Sequence, residues 1–513
     1  MILIVSAGCG IDYAGAAKLR TKLQGATDMT VLAISKSAPA MSDEEVRTLA
    51  TKMLQTQLND AGAKVETVAL TEGRQRIDLT TSADYKTAFL GIIGFAHVPV
   101  QVSSASFTSS MSHEIALVID NSGSMNASAG GASKMQSAKE AAGKLIDAMM
   151  STQAAASNTK ISVIPFTLSV KVGSEYASAS WMDRTGASSA HWNTLNLDKS
   201  TALSTSPVTS RFDLFSQLNT SWAGCVETRP GVLATTDTAA SSGSPDTFFV
   251  PMFAPDEPGL AGATLYYPNS PGSWSTEWVY NNSYIDDDEN TKCTTKYGAS
   301  NYVRKEKMLC KYKTPPYYVT SYGRGPNYGC TAKPLLRLTS NKTSLHSAIS
   351  GMTAEGPTNL LEGFTWGWRT LSPNTPFAEG KAYSVVENRK IIILLTDGMN
   401  AWGSENNHNK SQYSSFGFYT DNRIASGVMT ATDARMQMDA RTLEACTNAK
   451  AQGVRVYTVG FSVSSDPIDS DGLNLLRACA SSSSMAYVAN DSSAIIAVFE
   501  EIARNVSSLR IAR

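Results

Sequence analysis

The chain has little histidine: five residues in 513, at positions 97, 113, 191, 346 and 408. None falls in an HExxH or other zinc-ligand spacing, and no GxSxG elbow or Ser–His–Asp order appears, which removes the common signatures of zinc and serine hydrolases. His97, His113, His191, His346 and His408 read as surface or internally satisfied side chains. Charge of one sign is lacking too. Lys and Arg number 44 against 45 Asp and Glu, so there is no basic footprint for a nucleic acid. Long apolar runs are missing. Met1-Ile2-Leu3-Ile4-Val5 is far short of the roughly 20 residues that span a bilayer, and without a basic leader it is no complete signal peptide. It reads as the last third of a membrane helix, with a plain soluble helix as the alternative. No two cysteines form a CxxC pair.

The seven cysteines are informative in their placing. Cys225, Cys293, Cys310 and Cys330 lie in one polar, loop-rich region, and Cys446 and Cys479 in two late helical stretches. Six cysteines so placed predict disulfides and an oxidising compartment, periplasmic or extracellular. Cys9 is left over. Cys446 and Cys479 flank one strand and are expected to pair. Cys225 with Cys330 would bracket the loop-rich region and Cys293 with Cys310 would nest inside it, although four cysteines permit three connectivities.

Periodicity divides the chain into three parts. In the first, residues 1–110, Ala16, Leu19, Leu23, Ala26, Thr30 and Ala33 recur at helical spacing. Lys18, Arg20 and Lys22 follow the apolar start as at a membrane interface. Ser42-Asp43-Glu44-Glu45 is a capping box for a helix with Val46, Leu49, Met53 and Leu54 inward, ended by Gly62. Residues 64–71 and 74–81 read as strands around a turn at Glu72-Gly73, and 99–107 as a third. This is a small α+β module.

In the second part, 111–172 and 333–513, strands (115–119, 160–167, 390–396, 454–461, 485–488) alternate with helices (133–150, 343–352, one from Leu360, 441–452, 473–480, 493–506). Such alternation predicts an α/β fold with a doubly wound, mostly parallel sheet. The third part, residues 173–332, loses both periodicities. It is too long for a simple loop and reads as an irregular, disulfide-stapled insertion. Asp286-Asp287-Asp288-Glu289 within it lacks the glycine and ligand spacing of an EF-hand and reads as a solvated turn.

The candidate site lies at strand ends of the second part. The unalternating run Ile115-Ala116-Leu117-Val118-Ile119 predicts a strand buried on both faces. It leads into Asp120-Asn121-Ser122-Gly123-Ser124, where a carboxylate and two hydroxyls at i, i+2 and i+4 share one side of a tight turn. Lys390 to Leu395 is a second buried strand, followed by Thr396-Asp397-Gly398. Gly356-Pro357-Thr358-Asn359 offers a hydroxyl just before a helix. Open α/β sheets bind ligands at the carboxyl ends of their strands, and an all-oxygen, partly neutral donor set suits Mg2+, or Mn2+ or Ca2+.

Asp120, Ser122, Ser124, Thr358 and Asp397 together resemble the metal-ion-dependent adhesion site of von Willebrand factor A domains. Over most of its length the chain also resembles the TadG-like proteins of Flp (tight adherence) pilus assembly. That resemblance rests on Gly10-Ile11-Asp12-Tyr13 with Leu19, Leu23 and Ala26; on Trp222-Ala223-Gly224-Cys225-Val226-Glu227; on Gly363, Trp366, Gly367 and Trp368 within 359–373; on Leu443-Glu444-Ala445-Cys446; and on Leu476-Arg477-Ala478-Cys479-Ala480. It implies a protein of the bacterial envelope, anchored in the inner membrane through the N-terminal helix and facing the periplasm, or at the cell surface. The expected role is non-enzymatic: capture of a protein partner's carboxylate at the metal. The alternatives are a metal-dependent hydrolase, for which Glu405 and His408 would have to approach the metal, and a structural pilus subunit with a vestigial site. Trp181, Trp192, Trp222, Trp402, Tyr413 and Tyr419 suit interface anchoring, with buried core as the alternative.

Overall fold

A computed structural model describes residues 2–35, 37–38, 41–59, 63–71, 76–107, 111–195, 208–258, 282–285, 302–313 and 324–507. The chain forms two compact units, 1–112 with 507–513, and 113–506.

In the first unit, helices α1 (Ile2–Ile34) and α2 (Asp43–Leu58) pack on an antiparallel sheet of β1 (Lys64–Thr71), β2 (Arg76–Lys86) and β3 (His97–Phe107), in the order β1-β2-β3. Ser42 and Glu45 close a reciprocal capping box on α2: the Ser42 amide donates to Glu45 Oε2 at 2.7 Å and the Glu45 amide to Ser42 Oγ at 3.3 Å. Alternate residues of β2 (Ile77, Leu79, Ala83) meet Leu23, Ala26 and Val31 of α1 and Val46, Ala50 and Leu54 of α2, the period-2 burial of a one-sided sheet. β2 runs to Lys86, beyond the expected end at 81, because pairing with β3 continues to Lys86 opposite His97. Gly62 and the turn at Glu72-Gly73 fall outside the described residues. Among the described residues, no helix is long and apolar enough to cross a membrane.

The second unit is built on a six-stranded sheet: β4 (Ser112–Asp120), β5 (Thr159–Phe166), β6 (Leu336–Thr339), β7 (Asn388–Thr396), β8 (Arg455–Phe461) and β9 (Ala486–Ala489). The spatial order is β6-β5-β4-β7-β8-β9. The pairs β4–β5, β7–β8 and β8–β9 are parallel and β5–β6 is antiparallel. This is the mostly parallel α/β sheet that the alternation of elements predicts.

Strand residues divide strictly between the two faces. Ile115, Leu117, Ile119, Ile391, Ile393 and Leu395 join one core, with α3 (Lys134–Met149), α4 (Lys342–Ser350) and α8 (Ser492–Ser507). Ala116, Val118, Ile392 and Leu394 join the other, with α5 (Leu360–Leu371), α6 (Ala431–Ala451) and α7 (Ser470–Cys479). Helix α5 is buried along its whole length. Gly363 and Gly367 let it lie directly on the strands: a Cβ at Gly363 would stand 2.5 Å from the Phe166 ring and one at Gly367 2.4 Å from Val118 Cγ2. Helix α6 begins ten residues earlier than its apolar periodicity indicates. Its first turns are polar, and Thr430 caps them by accepting from the Asp433 amide.

Among its described residues the insertion has few regular elements, and its rings share the core of the second unit. Trp181, Phe249, Phe253 and Tyr312 pack into the same cluster as Trp366 and Trp368 of α5. Trp181, Trp192, Trp222, Trp402, Tyr413 and Tyr419 are all buried, which decides for the core alternative over interface anchoring. Buried polar pairs order the same region. Arg211 donates to Glu227, whose other oxygen pairs with Arg423. His191 Nδ1 lies 2.8 Å from Asp183. Disulfides join Cys225 to Cys330 and Cys446 to Cys479. Cys293 and the Asp286 to Glu289 run lie outside the described residues.

One buried acid pair makes a pH prediction. Asn409 Nδ2 donates both to Glu306 Oε2 (2.7 Å) and to Glu257 Oε1 (3.3 Å). Burial, and then the Glu306 charge, push the Glu257 carboxyl up to about 8. A carboxyl whose pKa rises on folding holds its proton better in the native state. Its stabilisation is complete below the unfolded value of 4.5 and is lost as pH rises through about 8. In metal-free buffer, melting midpoints of Glu257→Gln should therefore fall less between pH 5 and pH 8.5 than those of the wild type. Parallel midpoint curves would show that Glu257 is ionised at both ends.

Candidate metal and ligand site

Asp120 is the last residue of β4, and Asp397 follows Thr396, the last of β7. β4 and β7 are neighbours in the sheet, so the two acids emerge side by side at its carboxyl edge. The turn after Asp120 is fixed by its own backbone: the Ser122 amide donates to Asp120 Oδ1 at 2.7 Å. Thr396 Oγ1 donates to Asp120 Oδ2 at 2.6 Å, which ties the two strand ends together. Ser122 Oγ and Ser124 Oγ are 2.9 Å apart, and Ser124 Oγ donates to Asp397 Oδ1 at 2.8 Å. An unbroken chain of oxygens thus runs from Ser122 through Ser124 to Asp397.

The Thr358 loop is tied to both strand ends. Gly356, in the left-handed region at φ +86°, offers its carbonyl to the Gly123 amide at 2.8 Å. Thr358 in turn accepts from the Ala401 amide through its backbone carbonyl at 2.9 Å, and the Asn359 amide donates to Thr167 O at 2.9 Å, just beyond β5. Asp120, Ser122, Thr358 and Asp397 are all buried.

The electrostatics turn on one residue that sequence reasoning missed. Lys134, the first residue of α3, is fully buried. Its ammonium donates to Asp397 Oδ2 at 2.9 Å, to Asp466 Oδ2 at 2.7 Å and to the Asp466 carbonyl at 3.2 Å. A lysine in the first turn of a helix opposes the macrodipole, which favours anions there. That misplacement is the signal that could have marked it. Among the described residues, no cation pairs with Asp120. Burial, and then the Asp397 charge, push its carboxyl up to about 7. Asp397 is also raised by burial, with Lys134 working against the shift.

The arrangement fits a divalent cation by the chemistry of its donors. Two carboxylates stand together with a single lysine between them and the solvent-facing Asp466, and hydroxyl oxygens lie beside them. Hard divalent ions take such all-oxygen sets. Asp120, Ser122, Ser124, Thr358 and Asp397 are the residues that would hold the ion. Among the described residues, no group of three or more His, Cys, Asp or Glu forms a metal cluster; the donors here are two acids and neutral hydroxyls. His408 and Glu405 are engaged elsewhere. His408 Nε2 lies 3.2 Å from Glu306, and Glu405 accepts from Gln412.

No family model and no curated protein matches the chain. Solved structures that overlap it include pilus proteins. The pilus adhesin SpaC from Lactobacillus rhamnosus GG aligns at 11% identity over 88% of this chain and 35% of its own, with a TM-score of 0.34. The PilB minor pilin from Streptococcus sanguinis aligns at 11% identity over 87% and 78%, TM-score 0.36. The vWF domain of the type V pili tip protein Mfa5 from Porphyromonas gingivalis aligns at 10% identity over 79% and 98%, TM-score 0.33. The chain spans about a third of the SpaC structure.

Proposed function

We propose that this chain is a non-enzymatic, adhesion-type protein-binding component of a bacterial pilus apparatus in the cell envelope, with Mg2+ (or Mn2+ or Ca2+) held by Asp120, Ser122, Ser124, Thr358 and Asp397. The observation that carries the reading is the run of oxygens Ser122–Ser124–Asp397 at the carboxyl ends of two adjacent strands. When bound, the ion supplies an electrophilic point to which a partner's Asp or Glu can add. The protein's own residues do the rest. Thr396 and the Ser122 amide hold Asp120 inward. Lys134 draws one oxygen of Asp397 back into the protein and neutralises part of its charge. A site rich in neutral hydroxyls and carrying an internal lysine leaves a divalent ion short of anionic ligands, and an external carboxylate meets that shortage. The placing of this role in Flp (tight adherence) pilus assembly is supported by the TadG-like residues named above, from Gly10-Ile11-Asp12-Tyr13 to Leu476-Arg477-Ala478-Cys479-Ala480.

The test is cross-linking and pull-down from the native envelope in three arms: with Mg2+, with EDTA, and with Ser122→Ala in Mg2+. Partners should appear in the first arm alone and be displaced by acetate. The same partners in all three arms would show that binding does not run through the metal.

A further inference from the structure

The first unit carries an apolar surface that its own fold does not use. The short 3-10 turn Leu90–Ile93 projects Ile92, 79% exposed, and Ile93, 50% exposed, with Phe95 at 63% just beyond. On α1, Ile11 is 56% and Tyr13 78% exposed. Asp12, between Ile11 and Tyr13, ties the two segments together. The Asp12 carboxylate, itself buried between Ile11 and Tyr13, accepts from three successive amides ahead of the turn: Ala88 at 2.8 Å, Phe89 at 2.9 Å and Leu90 at 2.7 Å. Phe89 packs on α1 one turn earlier, where a Cβ at Gly8 would come within 2.6 Å of it. The turn is therefore clamped to the helix with its isoleucines outward. Apolar side chains held outward together, not scattered, mark an interaction surface.

The charges around the patch select its partner. In residues 2–22 the single acid is Asp12, already committed to the three amides, and residues 87–107 contain no acid at all. Exposed Lys18, Arg20 and Lys22 follow on α1. At about 1.5 Å of rise per residue they stand roughly 8–14 Å along the helix from Tyr13. An apolar tip, a tyrosine beside it and a basic collar one headgroup layer behind are the sequence of chemistries met on entering an anionic bilayer surface. The apolar Ile2-Leu3-Ile4-Val5 continues α1 away from the collar. We propose that this end of the first unit lies on the surface of an anionic lipid bilayer, with the Leu90–Ile93 turn as an interfacial contact additional to α1.

The experiment is flotation of the 513-residue chain with vesicles of phosphatidylglycerol and phosphatidylethanolamine, or of phosphatidylcholine alone. The wild type should float with the anionic vesicles and lose that binding at high salt. Ile92→Asp/Ile93→Asp should lower the bound fraction at least tenfold with an unchanged melting curve, since both side chains are exposed. Lys18→Glu/Arg20→Glu/Lys22→Glu should lose the preference for anionic lipid. Ile92→Trp should act in the opposite direction and tighten binding. Equal flotation of wild type and Ile92→Asp/Ile93→Asp would overturn the proposal. So would a lipid-free dimer, seen by sedimentation equilibrium and abolished by the same pair, because a second copy would then cover the patch.

Discussion

Lys134→Met should destabilise the second unit by about 3–5 kcal/mol, the usual cost of removing one partner from a buried ion pair. The side chain of Asp397 is completely buried, and Lys134 is the cation bonded to it. Without the ammonium, Asp397 must either stay charged, buried beside Asp120, or take up a proton, and both cost folding free energy. The neighbouring pair decides where that cost arises. Lys134 also meets Asp466, but the Asp466 side chain is 44% exposed; solvent screens that end, and such pairs contribute about 0–1 kcal/mol. Asp466→Asn should therefore be nearly silent. Lys134→Met/Asp397→Asn should recover much of the loss, because a neutral amide needs no counter-charge. Denaturant midpoints in metal-free buffer, at unchanged m-value, measure all three variants, and the double variant exposes the coupling between the two sites. A Lys134→Met chain as stable as the wild type would mean that Asp397 is already neutral or that solvent reaches it.

Lys134 is the part of the site that the sequence pattern does not mark as buried. The strand-end acids were legible because their strands are. Ile115 to Ile119 and Ile391 to Leu395 are unbroken apolar runs, each ending in Asp or Thr-Asp, and in a parallel sheet such runs can end only at the ligand edge. Ser122 and Ser124 follow from spacing alone. Thr358 required a third loop to be placed beside the other two, and the contacts that do so, Gly356 to Gly123 and Ala401 to Thr358, are backbone hydrogen bonds that no side-chain pattern encodes. Lys134 lay hidden in a helical periodicity, where lysine ordinarily means solvent.

The insertion was the least legible part. Its order comes from buried ion pairs such as Arg211 with Glu227, and from tryptophans packed onto α5, and neither has a period. Its aromatic content therefore read equally as interface or core until burial decided for core. The early start of α6 has a similar origin. A helix whose first turns are polar announces itself through its cap, Thr430 with Asp433, and not through an apolar stripe.

Adding Mg2+ or Mn2+ to metal-free protein should raise the melting temperature, and Asp120→Ala should abolish the rise. A ligand that binds only the folded state stabilises it by mass action, about 2.7 kcal/mol when its free concentration is 100 times Kd. The free energy would come from the two buried carboxyls, Asp120 and Asp397, whose charges oppose each other. Asp120 is buried and, among the described residues, pairs with no cation; burial and the nearby Asp397 push its carboxyl up to about 7, well above the ordinary carboxylate range. A divalent ion relieves that repulsion, so much of what it contributes appears as stability. Asp120→Ala removes the repulsion and the ligand together. The variant should therefore melt within a few degrees of the metal-free wild type while losing the response to Mg2+. Ser122→Ala leaves both acids in place and removes one neutral oxygen. It should shift the midpoint of a Mn2+ titration to higher concentration and leave the plateau near that of the wild type. The same titrations on Lys134→Met, which keeps every proposed ligand, separate a fold that has lost its buried pair from a site that has lost its metal: that variant should begin from a lower melting temperature and still rise with Mn2+. Identical wild-type melting curves in EDTA and in excess Mg2+ would remove the metal from this site, and with it the carboxylate-capture reading.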